Sequence, residues 1–243
     1  MPDVTRPYRR VGHKGADLIA PGNTAASFDA ALAAGVDMIE FDVLPEDWRD
    51  PLGSRLLLAH DHGHDLSSVP TFEEGLDHLA GTTFAGVDLQ VDLKLAGYEA
   101  RVVEALRARD LIGRTLVSTM EKESLTLLRR LEPSLRLGWS VPRVRRDYTK
   151  SLLTRYPAYA LLLYAKRVLP GQAADAITSG RVDAIMAHWL LVTAALVRAV
   201  RDAGGELYAW TVDDPKEIAR LEALGVTGII SNDPRLFAPA PVS

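Results

Sequence analysis

Met38-Ile39-Glu40-Phe41-Asp42-Val43 sets the frame for the whole chain. Its apolar residues mark a strand in a sheet covered on both faces. Side chains alternate along a strand, so Glu40 and Asp42 project to one side together. Two carboxylates on the inner side of a sheet repel unless a cation lies between them. Oxygen ligands select a hard ion such as Mg²⁺, Ca²⁺ or Mn²⁺. The competing reading is a solvent-facing acidic pair on a strand edge; the flanking Met38, Ile39, Phe41 and Val43 weigh against it.

Working outward, similar apolar runs occupy residues 8–12, 88–93, 115–119, 136–140, 183–187, 207–211 and 228–231. Most are separated by helical patterns. That alternation predicts a parallel sheet covered by helices, and eight such units predict a closed (β/α)₈ barrel. A doubly wound open sheet is the other architecture with this pattern. Asn23 or Thr24 can cap a helix over 25–34 that Gly35 stops. A second helix is expected around 72–79, and a third over 192–203, with Leu196, Val197 and Val200 on one face. Asp213 or Asp214 can cap a fourth, with Pro215 near its start and Gly225 at its end. Residues 46–55 read as a loop or hairpin before a short strand at 56–59.

The remaining chemistry-bearing residues fall at strand ends, which in a parallel α/β protein open onto one face. His13 and Lys14 end the first strand between Gly12 and Gly15, and His60-Asp61 follow the short strand. Asp92-Leu93-Lys94 repeats the alternating geometry, so Asp92 can complete a three-carboxylate site. Lys94 can meet a phosphate oxygen or neutralise an acid. Histidine suits acid–base work because its unperturbed pKa is about 6.5. Histidines, converging carboxylates and lysines are the parts of a metal-assisted phosphoester site.

Other candidates read as structural. Asp88 is expected as an exposed strand-opening residue, His62 and His64 as a solvated loop rather than a zinc site, and His78 as surface. Arg143-Val144-Arg145-Arg146 reads as a solvated loop. His188 is a possible pocket-lining residue. Trp189 and Trp210 can each wall a pocket or fill a barrel mouth. Asn232-Asp233-Pro234 is expected to turn the chain and close the barrel.

The 243 residues carry a net charge of −4 and no cysteine. General nucleic-acid affinity is not expected at that charge. Disulfides and zinc–thiolate sites are excluded, and a reducing compartment is compatible. No stretch has the length of a membrane span or the pattern of a signal peptide, so a cytoplasmic protein is expected. The tail 238–241 is expected to fray. Nothing demands a second domain; one domain over 1–243, with its core at about 8–237, is the expectation, and oligomeric state is left open.

In order, His13-Lys14-Gly15, Pro21-Gly22-Asn23-Thr24, Glu40-Phe41-Asp42, His60-Asp61, Asp92-Leu93-Lys94, Trp210-Thr211-Val212 and Asn232-Asp233-Pro234 resemble the motif succession of the glycerophosphodiester phosphodiesterase family. The likeness spans nearly the whole chain. It implies a TIM barrel, and hydrolysis of a small glycerophosphodiester to sn-glycerol 3-phosphate and an alcohol. It further implies that Glu40, Asp42 and Asp92 hold one divalent cation, Mg²⁺ or Ca²⁺ with Mn²⁺ also compatible. His13 and His60 become the acid–base pair, and Lys14, Lys94 and Trp210 the substrate contacts. Three positions depart from the pattern. Lys14 replaces an arginine and loses its bidentate fork, Gly22 replaces a glutamate, and Asp92 stands where many members carry glutamate. The chain also lacks most of the segment many members insert after His-Asp. In that respect it is similar to the sphingomyelinase D branch, which makes a lysophospholipase D-like activity on lipid diesters the neighbouring alternative. A phosphate-binding protein without turnover is the alternative of another class.

Overall fold

The computed structural model describes residues 8–63, 65–142 and 155–237. The basic run 143–146, His64 and the tail 238–241 lie outside them. Among the described residues nine strands form in chain order: β1 Arg9–Gly12, β2 Met38–Pro45, β3 Leu56–Leu57, β4 Asp88–Leu93, β5 Thr115–Thr119, β6 Arg136–Val141, β7 Ala184–His188, β8 Glu206–Trp210 and β9 Gly228–Ser231. All except β3 pair in parallel, and β1 bonds to both β2 and β9, which closes an eight-stranded barrel. The expected (β/α)₈ barrel is therefore the fold. β3 is an antiparallel flap on the end of β2, pairing Leu44 with Leu57 and Pro45 with Leu56. It is shorter than the four residues expected.

The helices α1 Ala25–Ala33, α2 Phe72–Leu79, α3 Glu99–Arg107, α4 Lys122–Leu131, α5 Arg155–Thr178, α6 Ala194–Asp202 and α7 Pro215–Leu224 alternate with the barrel strands. Local chemistry fixes their starts. Thr24 accepts from the Ser27 N–H while Ser27 accepts from the Thr24 N–H, and Thr71 and Glu74 make the same reciprocal pair before α2. Asp214 caps α7 ahead of Pro215. Thr193 caps α6, which begins two residues later than its apolar pattern alone suggests.

The barrel interior is layered. Val11, Met38, Leu116, Ala184, Met186, Tyr208 and Ile230 fill the middle. Ile39, Phe41 and Val43 face outward into the larger core shared with the helices. Below, Asp88 pairs with Arg9 at 2.5 Å and with Arg136 at 3.6 Å, and Arg136 also pairs with Glu206. Asp88 is thus not an exposed strand opening; inner-face parity turns it onto the barrel floor, where two guanidiniums meet it. No helix among the described residues is long and apolar enough to cross a membrane.

Candidate active site

The top of the barrel holds the acids. Parallel pairing sets Asp42 beside Asp92, and Asp92 beside Ser118. Glu40 lies two residues back on the same inner face. As a result, Glu40, Asp42 and Asp92, all buried, each offer an oxygen within 4.8 Å of the others. Each carboxylate is held. Glu40 accepts from the Lys14 N–H at 2.8 Å. Asp42 accepts from Asn23 Nδ2 at 3.0 Å. Asp92 accepts from Ser118 Oγ at 2.6 Å.

The Lys94 ammonium lies 2.6 Å from Asp42 Oδ1 and 2.6 Å from Asp92 Oδ2. It acts as internal counter-cation to both. Burial disfavours charge on Asp42, but Lys94, then His13 and His60, outweigh it and hold the carboxyl well below the usual range. Burial likewise opposes the Lys94 charge, and Asp42, Asp92 and Glu40 overcome it, so the ammonium keeps its proton more tightly than usual. Glu40 goes the other way: burial, and then the Asp42 charge, push its carboxyl well up.

A divalent cation fits this set. With all three acids ionised, three negative charges face one lysine, which leaves −2. The buried Asp42 Oδ1 has a lysine close by yet receives no well-directed hydrogen bond. Hard oxygen donors and residual negative charge are what Mg²⁺ or Ca²⁺ require.

The turn from β1 brings His13 over the acids. Lys14 has φ +49° and Gly15 φ +83°. A Cβ on Gly15 would lie 2.5 Å from Ser27 Oγ, so only glycine lets the turn press against α1. His13 Nε2 lies 3.8 Å from Glu40 Oε2, and its Nδ1 lies 2.6 Å from Asn232 Oδ1. Asn232 Nδ2 donates to Asp213 Oδ2 at 2.6 Å, which turns the amide oxygen toward the imidazole. His13 Nδ1 therefore carries the proton, and Nε2 is the accepting nitrogen of the neutral ring. Burial lowers the His13 pKa, opposed by the Asp42 charge and the Asn232 hydrogen bond.

His60 follows the flap. Leu44, Leu57 and Ala59 pack with Leu66 and Val69, and the Leu58 N–H donates to Pro70 O at 2.9 Å, which closes a short excursion before α2. His60 is about half exposed on the rim, with Nδ1 3.2 Å from Asp61 Oδ2. It is near enough to Asp42 to help hold that acid ionised. His62 is tethered to the Pro45 carbonyl at 2.8 Å, and His78 reaches Asp29 at 2.8 Å on the outer surface. Trp210 donates its indole N–H to Met186 O at 2.8 Å and meets His188 edge-on at 5.2 Å, and Trp189 stacks on the same His188 ring at 5.7 Å. The three rings form an aromatic side to the barrel mouth.

Sequence reasoning missed several contributors. Asn23 and Asp213 look like helix caps, but Thr24 and Asp214 do the capping and free their neighbours for the site. Asn232 looks like a turn residue. Ser118 carries a signal that could have been used: a polar residue that shares the inner face of its strand with the apolar Leu116. Tyr98, fully buried, donates to Val43 O at 2.7 Å and accepts from the Lys94 N–H at 3.1 Å, tying the ends of β2 and β4 together.

The geometry has relatives. Residues 13–44 and 54–236 match the model of the glycerophosphoryl diester phosphodiesterase family. A glycerophosphodiester phosphodiesterase of Caldanaerobacter subterraneus is 24% identical, over 92% of this chain and 93% of that protein. One from Bacillus subtilis is 22% identical over 93% and 84%. Among solved structures, a glycerophosphodiester phosphodiesterase from Agrobacterium tumefaciens superposes with a TM-score of 0.68 at 22% identity, covering 95% of this chain and 98% of that one. An Oleispira antarctica phosphodiesterase, solved with the product sn-glycerol-3-phosphate, gives 0.66 at 19% identity, covering 93% and 94%. These likenesses establish the barrel, and the family match over most of its length shows that the chain belongs to the glycerophosphoryl diester phosphodiesterase family.

Proposed function

We propose that this chain hydrolyses glycerophosphodiesters, adding water across a phosphoester bond to release sn-glycerol 3-phosphate and an alcohol. The observation that carries the reading is the convergence of Glu40, Asp42 and Asp92 within 4.8 Å, beside His13, in a chain of this family. The product bound to the Oleispira antarctica relative supports the same substrate class.

Glu40, Asp42 and Asp92 would hold one divalent cation, Mg²⁺ or Ca²⁺. When bound, it would draw charge from a nonbridging phosphate oxygen. Lys94 adds positive charge where the transition state gains negative charge, and Lys14 holds the phosphate alike in substrate, transition state and product. His13, with its Nδ1 proton committed to Asn232, takes a proton at Nε2 from the attacking oxygen. His60, on the open rim, gives its proton to the departing alkoxide, which leaves toward solvent. Trp210, with its N–H already committed, offers a ring face as a wall. The attacking oxygen is water or the substrate's own 2-hydroxyl; the latter route passes through a cyclic phosphate visible by phosphorus NMR.

A second reading, hydrolysis of a lipid-like diester such as a lysophospholipid, is favoured by the exposed Leu18, Ile19, Trp48 and Leu52 on loops that follow β1 and β2 at the same end of the barrel. Turnover of glycerophosphocholine and of a lysolipid, each with Mg²⁺, Ca²⁺ or a chelator, tests both. Faster turnover of the lysolipid supports the second. No metal-dependent turnover of either removes the assignment and leaves a binding protein. His13→Ala and His60→Ala should each lower kcat by about 10²–10⁴ with little change in product affinity.

A further inference from the structure

Gly22 stands where the family motif carries glutamate, and its φ is not in the positive region, so backbone conformation does not demand glycine there. Space does. A Cβ on Gly22 would lie 2.4 Å from Asp17 Oδ1 and 2.8 Å from Asp17 Cγ, with Lys14 Cβ at 2.9 Å. The Asp17 carboxylate occupies the volume through which a side chain at position 22 would leave the backbone. Its Oδ1 accepts from the Gly22 N–H at 3.0 Å, and its Oδ2 lies 3.6 Å from Lys14 Nζ. Two of the three departures noted in the sequence, at positions 14 and 22, thus meet at a residue that neither motif contains.

From this we infer that Asp17 is the positioning residue for Lys14: a carboxylate supplied from within the β1–α1 loop does the work that a side chain at position 22 cannot do here. The inference rests on the phosphodiesterase reading, in which Lys14 meets the substrate phosphate. A lysine on a four-carbon stem has no rigid fork, so its ammonium has many places to go. One carboxylate anchored to the backbone of Gly22 restricts that freedom. Lys14 itself is constrained from behind: its carbonyl accepts from Ser27 Oγ at 2.8 Å and from the Asn23 N–H at 3.0 Å. With the backbone fixed and the ammonium guided by Asp17, the side chain is directed at both ends. Asp17 acts through Lys14 and touches no reacting atom, so its effect belongs in substrate and product affinity rather than in the chemical step.

The test measures kcat and KM for glycerophosphocholine, and calorimetric binding of sn-glycerol 3-phosphate, with Mg²⁺ present. Asp17→Ala should raise KM and the product Kd about five- to tenfold with kcat within about twofold. Asp17→Asn, which keeps the shape and the Gly22 contact, should fall between that variant and wild type. Lys14→Ala should cost more than Asp17→Ala, and the double variant should be no worse than Lys14→Ala alone, because the two act as one unit. Gly22→Glu should impair the wild-type chain by displacing Asp17, yet lower KM when introduced into Asp17→Ala, where the carboxylate arrives from the other position. Full additivity of the Lys14 and Asp17 losses, or Asp17→Ala kinetics equal to wild type, overturns the assignment while leaving the phosphodiesterase reading intact. A wild-type protein that neither turns over the diester nor binds the product overturns both.

Discussion

Asn23 and Asp42 exchange two hydrogen bonds: Asn23 Nδ2 donates to Asp42 Oδ2 at 3.0 Å, and Asn23 Oδ1 accepts from the Asp42 N–H at 3.0 Å. The asparagine sits at φ +59°, a region that residue type tolerates better than most. Asn23→Gly keeps that backbone and removes only the amide. It leaves the buried Asp42 N–H without its acceptor, at a cost of about 1–3 kcal/mol. If Asp42 is a metal ligand, the orienting bond goes too, and cation affinity should fall about 10–100-fold. Unchanged affinity in a metal titration of this variant would show that the clamp serves the fold alone.

Asn232 is predicted to set the working nitrogen of His13. Asn232→Ala should lower kcat by about five- to a hundredfold, the cost of a lost orienting hydrogen bond expressed as a rate. Asn232→Asp keeps an acceptor but adds negative charge, which stabilises the imidazolium and raises the His13 pKa. With His13 as base, the acidic limb of the kcat/KM profile should move to higher pH. A profile that stays put in Asn232→Asp removes His13 from the role of base.

The acids make a prediction about stability and pH. Glu40 has its pKa raised well above 4.5 by burial and then by Asp42, so the native state holds a proton that the unfolded chain has released. Its contribution is complete below the unfolded value and is lost as pH rises through the folded one. Asp42 is depressed below 3.8, so its contribution is present above that value and is lost as pH falls through the lower folded one. In chelator at pH 8, Glu40→Gln should therefore raise Tm, by about 2–4 °C for each kcal/mol of relieved charge burial, and should do less at pH 5. Mg²⁺ or Ca²⁺ should raise Tm of the wild type at pH 8 and do so far less for Glu40→Gln. Scanning calorimetry at the two pH values reads all of this; a Tm independent of divalent cation would sink the metal assignment.

The barrel floor should behave oppositely to its mouth. Asp88→Ala leaves Arg9 and Arg136 without their shared carboxylate, while Arg136 keeps its pairing with Glu206 and Tyr208. About 1–3 kcal/mol is expected from breaking this half-buried group, seen as a lower Tm with kcat within about twofold of wild type. Comparable losses at both readouts would mean that floor and mouth are coupled through the strands.

Much of the fold was legible because it rests on short-range pattern. Period-two alternation and apolar runs placed every barrel strand to within about two residues. They also put Glu40, Asp42 and Asp92 on one face, since one-residue spacing in a strand has a single geometric outcome. Trp210 was placed at a strand end on the same grounds, but not the partner of its N–H, which is a carbonyl two strand positions deep on β7.

What the chain determined by itself was parity and punctuation: which residues face inward, where helices begin, and which strand ends carry acids, imidazoles and lysines. Tertiary structure decided the partners. Asn23 and Thr24 are equally good caps by local chemistry, as are Asp213 and Asp214; the member of each pair diverted to the site was chosen by a partner on, or just past, a strand distant in sequence. His13 and Asn232 are 219 residues apart in sequence, and only barrel closure between β1 and β9 brings them to 2.6 Å. Local propensity acts over a few residues, whereas these contacts depend on inter-strand register and closure, which no short window of sequence contains.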